Sequence, residues 1–257
     1  MKVLKLGGEL IETAESRAQM AGLIARLVAA GPLVVIHGGG KAVDVELKRK
    51  QITPKKVDGL RITDAETLET VVAVIGGVAN MNFVASLVAH GLKAVGLSGV
   101  DAGCGRAVHA APITSTTGAV VDLGLVGDPT DADPALFRTL TTAGYLPVVA
   151  CLGVDDHGQI LNVNADVMAC RIAAAVGASE LLIAGTTAGV FDANGATIPQ
   201  LDTDGMAALI ASGAANAGMV AKLNACRTAL DAGVPAVKIV DGKDLTTGTT
   251  LVAGVRA

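Results

Sequence analysis

Short apolar segments of strand length, separated by helical patterns, most constrain what this chain can fold into. The apolar segments cover residues 3–6, 33–36, 94–97, 146–150, 181–184 and 236–240. Helical patterns alternate with them at residues 14–29, 42–50, 65–89, 134–143, 165–176, 203–211 and 220–232. Because continuous apolar strands separated by helices must be covered on both faces, this order predicts an α/β fold, a three-layer α/β/α sandwich around a mostly parallel central sheet.

Two stretches interrupt the alternation, residues 55–63 and 105–126. Both carry glycine, Asp-Gly or proline turn signals beside β-branched residues, which predicts β-hairpins that project from the sheet. In sheets of this type, ligands bind beyond the carboxyl ends of the strands. We therefore expect the two hairpins to form walls or lids of a site at that edge.

The composition argues against several classes of function. The formal net charge is −4, and the chain has three phenylalanines, one tyrosine and no tryptophan, whereas nucleic-acid-binding proteins present basic faces or stacking aromatic side chains. The most apolar stretch, residues 71–89, contains Gly76, Gly77, Asn80 and Asn82, which favours a buried helix over a membrane span. We expect neither a nucleic-acid partner nor a membrane.

The start of the chain and its cysteines point to one cellular compartment. Met1 leads directly into the first strand pattern without a charged leader and an apolar segment, so we expect neither secretion nor organelle import. The four cysteines include no Cys-x-x-Cys pair, which favours buried small side chains over a disulfide or a zinc site. Both observations predict a cytoplasmic protein.

Glycines follow the first two apolar segments. Gly7 and Gly8 end the first, and Gly38-Gly39-Gly40 ends the second. A loop without side chains lets backbone N–H groups approach an anion, and Lys5 adds a positive charge beside it. The second cluster lacks the pattern G-x-x-x-x-G-K-[ST] of a P-loop, because valine and alanine stand at its first and last positions. Either cluster alone could be a tight turn, but together they predict a phosphate site.

Three polar residues alternate ahead of a helical pattern, Asn162, Asn164 and Asp166. Alternation along a strand points such side chains to one side, which suits a polar ligand, although Asn164 or Asp166 could instead cap the helix. Further on, glycine and methionine at residues 218–219 precede a helix that carries Lys222 one turn in. Taken alone, a lysine on such a helix is typical of a solvated surface.

The joint order of these segments resembles the amino acid kinase family, from Lys2 to residues 248–250. The matching stretches are Lys5-Leu6-Gly7-Gly8, His37-Gly38-Gly39-Gly40, Asp58-Gly59-Leu60-Arg61-Ile62-Thr63, Gly144-Tyr145-Leu146-Pro147-Val148-Val149, Asn162-Val163-Asn164-Ala165-Asp166 and Gly218-Met219 with Lys222. The resemblance implies an enzyme that moves the γ-phosphoryl group of ATP onto the side-chain carboxylate of N-acetyl-L-glutamate in arginine biosynthesis. Catalysis of such a transfer consists of positioning and charge neutralisation.

The resemblance also implies roles for the matched residues. Lys5 and Lys222 would contact the transferring phosphoryl group from opposite sides, and Asp166 would hold both ammonium groups in place. Arg61 would grip the substrate α-carboxylate as a two-pronged clamp. The substrate-binding residues would be Gly38, Gly39, Gly40, Arg61, Asn162 and Asn164. The phosphate- and nucleotide-binding residues would be Gly7, Gly8, Gly185, Thr186, Gly218 and Met219.

ATP is the implied co-substrate, and Mg²⁺ would be bound mainly through the phosphates, with no protein ligand that the sequence identifies. Family members often carry an acidic residue near the nucleotide after the fifth apolar segment, where this chain has Gly185-Thr186. Members that arginine inhibits are hexamers with an additional N-terminal helix, and this sequence begins at its first strand. The resemblance therefore implies an arginine-insensitive homodimer that forms through the helix at residues 65–89.

We expect one amino acid kinase domain over residues 1–257. Within it, residues 1–175 would form an amino-acid-binding and dimerisation lobe, and residues 176–257 a nucleotide-binding lobe. Two alternative functions stay open. A sister kinase would act on another acyl-amino acid, carboxylate or carbamate, such as carrier-linked aminoadipate, and a non-catalytic homologue would keep a ligand site without turnover.

Overall fold

A mostly parallel sheet forms the centre of the structure, a computed structural model that describes residues 1–215 and 217–254. Its strands, from one edge to the other, are β14 (Gln200–Asp202), β16 (Gly248–Val252), β15 (Val237–Asp241), β13 (Glu180–Gly185), β1 (Lys2–Leu6), β2 (Leu33–His37), β10 (Leu146–Ala150) and β5 (Ala94–Ser98). Neighbouring strands are parallel except for β15 and β16, which are antiparallel. The six strands predicted from the sequence all lie in this sheet.

Helices cover both faces of the sheet. They are α1 (Ala14–Ala29), α2 (Gly40–Arg49), α3 (Ala65–Val71), α4 (Asn80–Ala89), α5 (Pro134–Thr142), α6 (Ala165–Val176), α7 (Thr203–Ala211) and α8 (Ala217–Asp231). On one face, Leu4 of β1 packs in a buried core with Met20 of α1 and Phe83 of α4. On the other face, Val3 of β1 belongs to a core that includes Ile172 of α6. The predicted three-layer α/β/α sandwich is confirmed.

One long helix was predicted at residues 65–89, and its extent is correct, but its middle third is a π-helix. This segment (Val72–Ala79) joins α3 to α4. At Gly76 the helix passes so close to Leu152 that an added Cβ would lie 2.9 Å from its Cδ1. By length and composition the combined helix could cross a membrane, with a mean hydropathy of 1.9 over its most apolar window. A third of that window is buried inside the protein. Helix α4 packs against strands β5 and β10 of the sheet.

The two predicted hairpins have different outcomes. The first is confirmed, since β3 (Lys56–Val57) and β4 (Leu60–Arg61) pair antiparallel across a turn at residues 58–59. In the second, β7 (Ile113–Thr114) and β8 (Val120–Val121) form only the tip.

The outer strands of that second stretch do not simply project from the sheet. They are β6 (Arg106–His109) and β9 (Val126–Asp131), and they close a small barrel with β11 (Leu152–Val154) and β12 (Ile160–Val163). Glycine packing permits this closure, because a Cβ on Gly127 or Gly153 would lie within about 3 Å of barrel side chains. The barrel depends on pairing between distant segments, which local turn signals do not report.

Candidate active site

A cavity of about 290 Å³ lies beyond the carboxyl ends of β1, β2 and β13. The strands are in register, with Leu6 opposite both His37 and Ala184, so the glycines that follow or end them meet at one edge of the sheet. The predicted site residues that line the cavity are Lys5, Gly7, Gly8, Gly38, Gly39, Gly40, Arg61, Asn162, Asn164, Asp166, Gly185 and Lys222. The sequence therefore identified most of the wall.

Three predicted nucleotide-binding residues lie beside this cavity rather than in its wall. Thr186 follows Gly185 directly and is exposed, and Gly218 and Met219 lie in the first turn of α8, one turn before Lys222. Their positions border the side of the cavity on which β13 and α8 lie.

Lys5, Asp166 and Lys222 form one ion cluster in the cavity wall. The Nζ atom of Lys5 lies 2.8 Å from Oδ1 of Asp166, and Nζ of Lys222 lies 3.6 Å from Oδ2 of the same carboxylate. All three side chains are at most one-fifth exposed. Strand β1 supplies the first lysine, helix α6 the aspartate and helix α8 the second lysine, so the cluster joins the sheet to the helical layer.

The start of α6 fixes the aspartate. Asn164 is the N-cap, and its Oδ1 accepts hydrogen bonds from the backbone N–H groups of Asp166 and Val167 at 2.8 and 3.3 Å. This confirms the helix-cap alternative for Asn164, which nevertheless also lines the cavity. Asp166 lies in the first helical turn, where the helix dipole stabilises a carboxylate.

The cluster shifts the pKa of two of its members. Burial would raise the pKa of Asp166, but the ammonium groups of Lys5 and Lys222 outweigh it and hold that pKa below its usual value. The pKa of Lys222 is also lowered, by burial first and then by the nearby Lys5 ammonium, against the attraction of Asp166. Mutual attraction therefore does not fully protect the charge of Lys222, contrary to the simplest expectation for a buried ion cluster.

The two glycine loops touch backbone to backbone. A Cβ on Gly8 would lie 2.8 Å from Cα of Gly39, so a side chain there would push the loops apart. Helix α2 begins at Gly40, and its N-cap, Gly39, offers no side-chain cap. The first N–H groups of a helix have no partner within it, which leaves this end of α2 suited to binding an anion.

Arg61 reaches the cavity from the β3–β4 hairpin. Its Nη1 atom lies 2.6 Å from Oδ1 of Asp44, and its Nη2 donates a hydrogen bond of 2.8 Å to the carbonyl of Gly40. The carboxylate of Asp44 also pairs with Lys56. Burial alone would raise the pKa of Asp44, but hydrogen bonds and charge attraction from Lys56 and Arg61 outweigh burial, and the pKa lies below its usual value.

Sequence reasoning missed Asp44, although it lies one helical turn after Gly40 and so on the same face of α2. The Asp44 carboxylate holds the Arg61 side chain at the cavity.

Asn162 connects the small barrel to the end of the first hairpin. Its Nδ2 donates a hydrogen bond of 3.1 Å to Oγ1 of Thr63, which links β12 to the residues that follow β4.

Glu9 and Cys151 are among the wall residues that the sequence analysis did not identify. The carboxylate of Glu9 lies close enough to Gly7 that a Cβ there would overlap it, and 3.8 Å from the position of a Cβ on Gly185. Burial raises the pKa of the Cys151 thiol to about 12, so it stays neutral. All four cysteines are free and buried, as predicted, and residues 1–215 and 217–254 contain no group of three metal-ligating side chains.

Comparison with known proteins agrees with this geometry. The sequence model of the amino acid kinase family matches residues 1–241. Acetylglutamate kinase from Symbiobacterium thermophilum is 42% identical over 245 residues, which cover 94% of this chain and 84% of that protein. Acetylglutamate kinase from Solibacter usitatus is 42% identical over 244 residues, which cover 94% and 91%.

A solved structure agrees as well. The crystal structure of smu.665 from Streptococcus mutans UA159 superposes with a TM-score of 0.83 at 27% identity, and the alignment covers 98% of each chain. The match of the family model, the identity to these relatives and the shared fold all lead to one assignment. The chain belongs to the amino acid kinase family.

Proposed function

We propose that this protein transfers the γ-phosphoryl group of ATP to the side-chain carboxylate of N-acetyl-L-glutamate, in arginine biosynthesis. The observation that carries the proposal is the cluster of two lysines around Asp166 in a glycine-walled cavity. The two acetylglutamate kinases that are 42% identical over most of this chain support the choice of acceptor.

The reaction is a direct displacement at phosphorus. A carboxylate oxygen of the acceptor forms a bond to the γ-phosphorus while the bond from that phosphorus to the β,γ-bridging oxygen breaks, and ADP leaves with the electron pair. No proton has to move. Negative charge spreads over the oxygens of the transferring group in the transition state, and the ammonium groups of Lys5 and Lys222 neutralise it from opposite sides. Asp166 holds both lysines and acts as a positioning residue.

The two glycine loops serve the two substrates. Gly38, Gly39 and Gly40, at the uncapped start of α2, direct backbone N–H groups at the acceptor side, where each well-aimed donor is worth about 10²–10³ in turnover. Arg61 and Asn162 bind the α-carboxylate of the acceptor, and Asn164 lies beside them. Gly7, Gly8 and Gly185 bind the phosphates, and Thr186, Gly218 and Met219 extend the nucleotide site. The acceptor-binding residues all fall in the proposed first lobe, residues 1–175, and the nucleotide-binding residues fall in the proposed second lobe, residues 176–257, except for Gly7 and Gly8, which the first lobe contributes to the phosphate site. Residue 216 and residues 255–257 lie outside the described part of the second lobe.

Mg²⁺ accompanies ATP in this proposal. Two carboxylates line the cavity, and Asp166 is engaged by both lysines. Glu9 is the other, and a hard oxygen donor fits this ion, which binds through one or two carboxylates together with phosphates and water. Glu9 would hold the ion at the Gly7 end of the cavity. The bound ion supplies positive charge to the phosphates.

We further propose a cytoplasmic homodimer that forms through the long helix and the neighbouring sheet edge. The exposed side chains Val78, Met81 and Val88 lie on one helical segment and are 54–70% exposed, and β5 is an edge strand of the sheet. A second copy of the chain would cover both. A dimer would also explain why the long helix is so apolar. One part of the helix is buried inside the protein, and the other part would form the contact with the second copy, so no membrane is needed to cover it.

The experiment that tests this function is a substrate panel with hydroxamate trapping of the acyl phosphate and measurement of ADP. Acetylglutamate, acetylaspartate, aminoadipate derivatives and carbamate would be compared with ATP and Mg²⁺. The proposal predicts that acetylglutamate gives the highest kcat/KM. A higher kcat/KM with another acceptor would identify a sister kinase, and absence of turnover with every acceptor would identify a non-catalytic homologue.

A further inference from the structure

His37 ends β2 and lies directly beneath the acceptor-side glycine loop. Its ring is fully buried. Nδ1 lies 3.0 Å from the carbonyl oxygen of Gly38, and Nε2 lies 3.0 Å from Nδ2 of Asn80. Asn80, the first residue of α4, is also buried, and its Nδ2 donates a second hydrogen bond of 3.0 Å to the carbonyl of Val148 in β10.

These contacts determine which ring nitrogen carries the proton. The Val148 carbonyl can only accept, so the amide group of Asn80 must direct its NH₂ toward it. The same NH₂ then donates to Nε2 of His37, which must be an unprotonated acceptor. The ring proton is therefore on Nδ1 and is donated to the carbonyl of Gly38.

The surroundings keep this arrangement in place. Burial lowers the pKa of His37, more than the hydrogen bond to Gly38 raises it, so the ring stays neutral. A Cβ on Gly96 would overlap Oδ1 of Asn80, and a Cβ on Gly39 would lie 3.2 Å from Cγ1 of Ile75. Little room exists for another orientation of the amide or of the loop.

The anchored carbonyl belongs to the Gly38–Gly39 peptide, which is trans. In a trans peptide the C=O and N–H bonds point in opposite directions. A hydrogen bond that holds the carbonyl toward the buried His37 therefore directs the N–H of Gly39 the other way. Gly38, Gly39 and Gly40 line the cavity on that side.

We propose that His37 and Asn80 are positioning residues, which fix the Gly38–Gly39 peptide through an Nδ1–H imidazole so that the Gly39 N–H faces the phosphoryl-transfer site. This inference rests on the proposed function for its catalytic consequence. It also links the site to the long helix, since Asn80 begins the segment that carries the exposed Met81.

The first test is independent of any substrate. ¹⁵N-labelled histidine is introduced into the complete protein, and two-bond ¹H–¹⁵N correlation spectra report which ring nitrogen is protonated. The chain has four histidines, and loss of one signal set in the His37→Asn variant assigns His37. The proposal predicts a protonated Nδ1 and an unprotonated Nε2 for His37. A protonated Nε2 would overturn it.

The second test separates positioning from packing with two variants of His37. His37→Phe keeps the ring volume but has no donor, whereas His37→Asn leaves a cavity but keeps an N–H near the position of Nδ1. We expect His37→Asn to retain kcat within about threefold and His37→Phe to lose about tenfold or more, because a misdirected donor loses part of the roughly 10²–10³-fold that a well-aimed one contributes. Melting curves should show both variants folded at the assay temperature, although asparagine leaves a cavity and phenylalanine leaves the Asn80 N–H and the Gly38 carbonyl without partners.

The control is the same pair of substitutions at His90, whose Nδ1 lies 2.8 Å from the carbonyl of Ser86 at an exposed position. Both His90 variants should keep the kcat of the parent protein. If His37→Asn and His37→Phe lose kcat equally while both stay folded, the Nδ1 donor has no positioning role and the proposal is wrong.

The two tests also distinguish this inference from the proposed function. If the parent protein phosphorylates no acceptor, the function fails, while the histidine spectra still decide the tautomer. Calorimetric binding of inorganic phosphate to the same variants then replaces turnover. Weaker phosphate binding by His37→Phe than by His37→Asn would support the positioning role, and equal binding would contradict it.

Discussion

Lys5 and Lys222, which come from the sheet and from the helical layer, approach the two oxygens of one carboxylate, that of Asp166. The carboxylate thus sets the separation of the two positive charges, and the space beside them is the cavity. Because burial and the Lys5 ammonium lower the pKa of Lys222, Asp166 also helps to keep Lys222 protonated. The proposed catalysis requires both the fixed separation of the two ammonium groups and a protonated Lys222.

Replacement of Asp166 should therefore change the titration of Lys222. In Asp166→Asn the carboxylate charge that pairs with Lys222 is removed, and we expect the pKa of Lys222 to fall further. Lys222 loses its charge when the pH rises through that pKa, so the alkaline limb of the kcat profile should move to lower pH, by about one unit or more for a buried pair.

A direct measurement covers the case in which Asp166→Asn has no turnover. The rate at which Lys222 reacts with an amine-selective acylating reagent, followed by mass spectrometry at several pH values, reports the unprotonated fraction. Lys238, which pairs with Glu180 at the other end of the sheet, serves as the internal control. An unchanged Lys222 profile in the variant would contradict the role given to Asp166.

Arg61 should determine acceptor affinity. Arg61→Lys keeps the charge but loses the planar fork that binds a carboxylate through two donors, and we expect the KM of acetylglutamate to rise about tenfold with little change for ATP. Asp44→Asn should raise the same KM by a smaller factor, because it only releases Arg61. Arg106→Lys is the matched control, since Arg106 pairs with one exposed aspartate. A raised KM for ATP alone would be inconsistent with this assignment.

Glu9 should contribute to the use of Mg²⁺. Glu9→Gln keeps the shape and removes the charge, so the Mg²⁺ concentration required for half-maximal activity at fixed ATP should rise several-fold. Binding of Mn²⁺ to the complex with ADP, followed by electron paramagnetic resonance, should weaken in parallel. Glu12→Gln, which alters the nearby ion pair with Lys41, is the control. Equal metal dependence in both variants would remove Glu9 from the metal site.

The proposed dimer contact predicts a mass of two chains in light scattering. Met81→Glu places a charge on the most exposed large apolar side chain of the long helix and should shift the protein to the mass of one chain. Val45→Glu changes a similarly exposed apolar residue on α2 and should leave the dimer intact. A monomeric or hexameric parent protein would contradict the proposal.

The sequence predicted the regular parts of the fold closely. The limits of α1, α6 and α7 agree with the helical patterns to the residue, because each helix has a clear amphipathic or alanine-rich pattern and a cap. The strands β14 and β16 were missed, since three residues in one and a Gly-Thr-Thr start in the other give little apolar signal. Their place in the sheet depends on tertiary pairing, of β16 with β15 and of β14 with β16.

The site was predictable where glycines cluster after a strand and where a residue belongs to a stretch that resembles the family. Lys5, Asp166 and Lys222 are far apart in the chain, and only the resemblance joined them before the structure did. Asp44, Glu9 and the His37–Asn80 pair were not found as site residues, because their roles arise from distances between elements. The N-cap role of Asn164, by contrast, is local and was foreseen as an alternative.

The role of the Lys222 ammonium group in phosphoryl transfer is tested most directly by a comparison of two lysine-to-methionine substitutions. Lys222→Met removes the ammonium group from the cavity, and Lys238→Met removes one from the Glu180 ion pair at the opposite end of the sheet. We expect Lys222→Met to lower the kcat of acetylglutamate-dependent ADP formation by about 10²-fold or more with only a modest change in either KM, and Lys238→Met to keep the parent kcat. Equal kcat values for the parent protein and Lys222→Met would contradict this role.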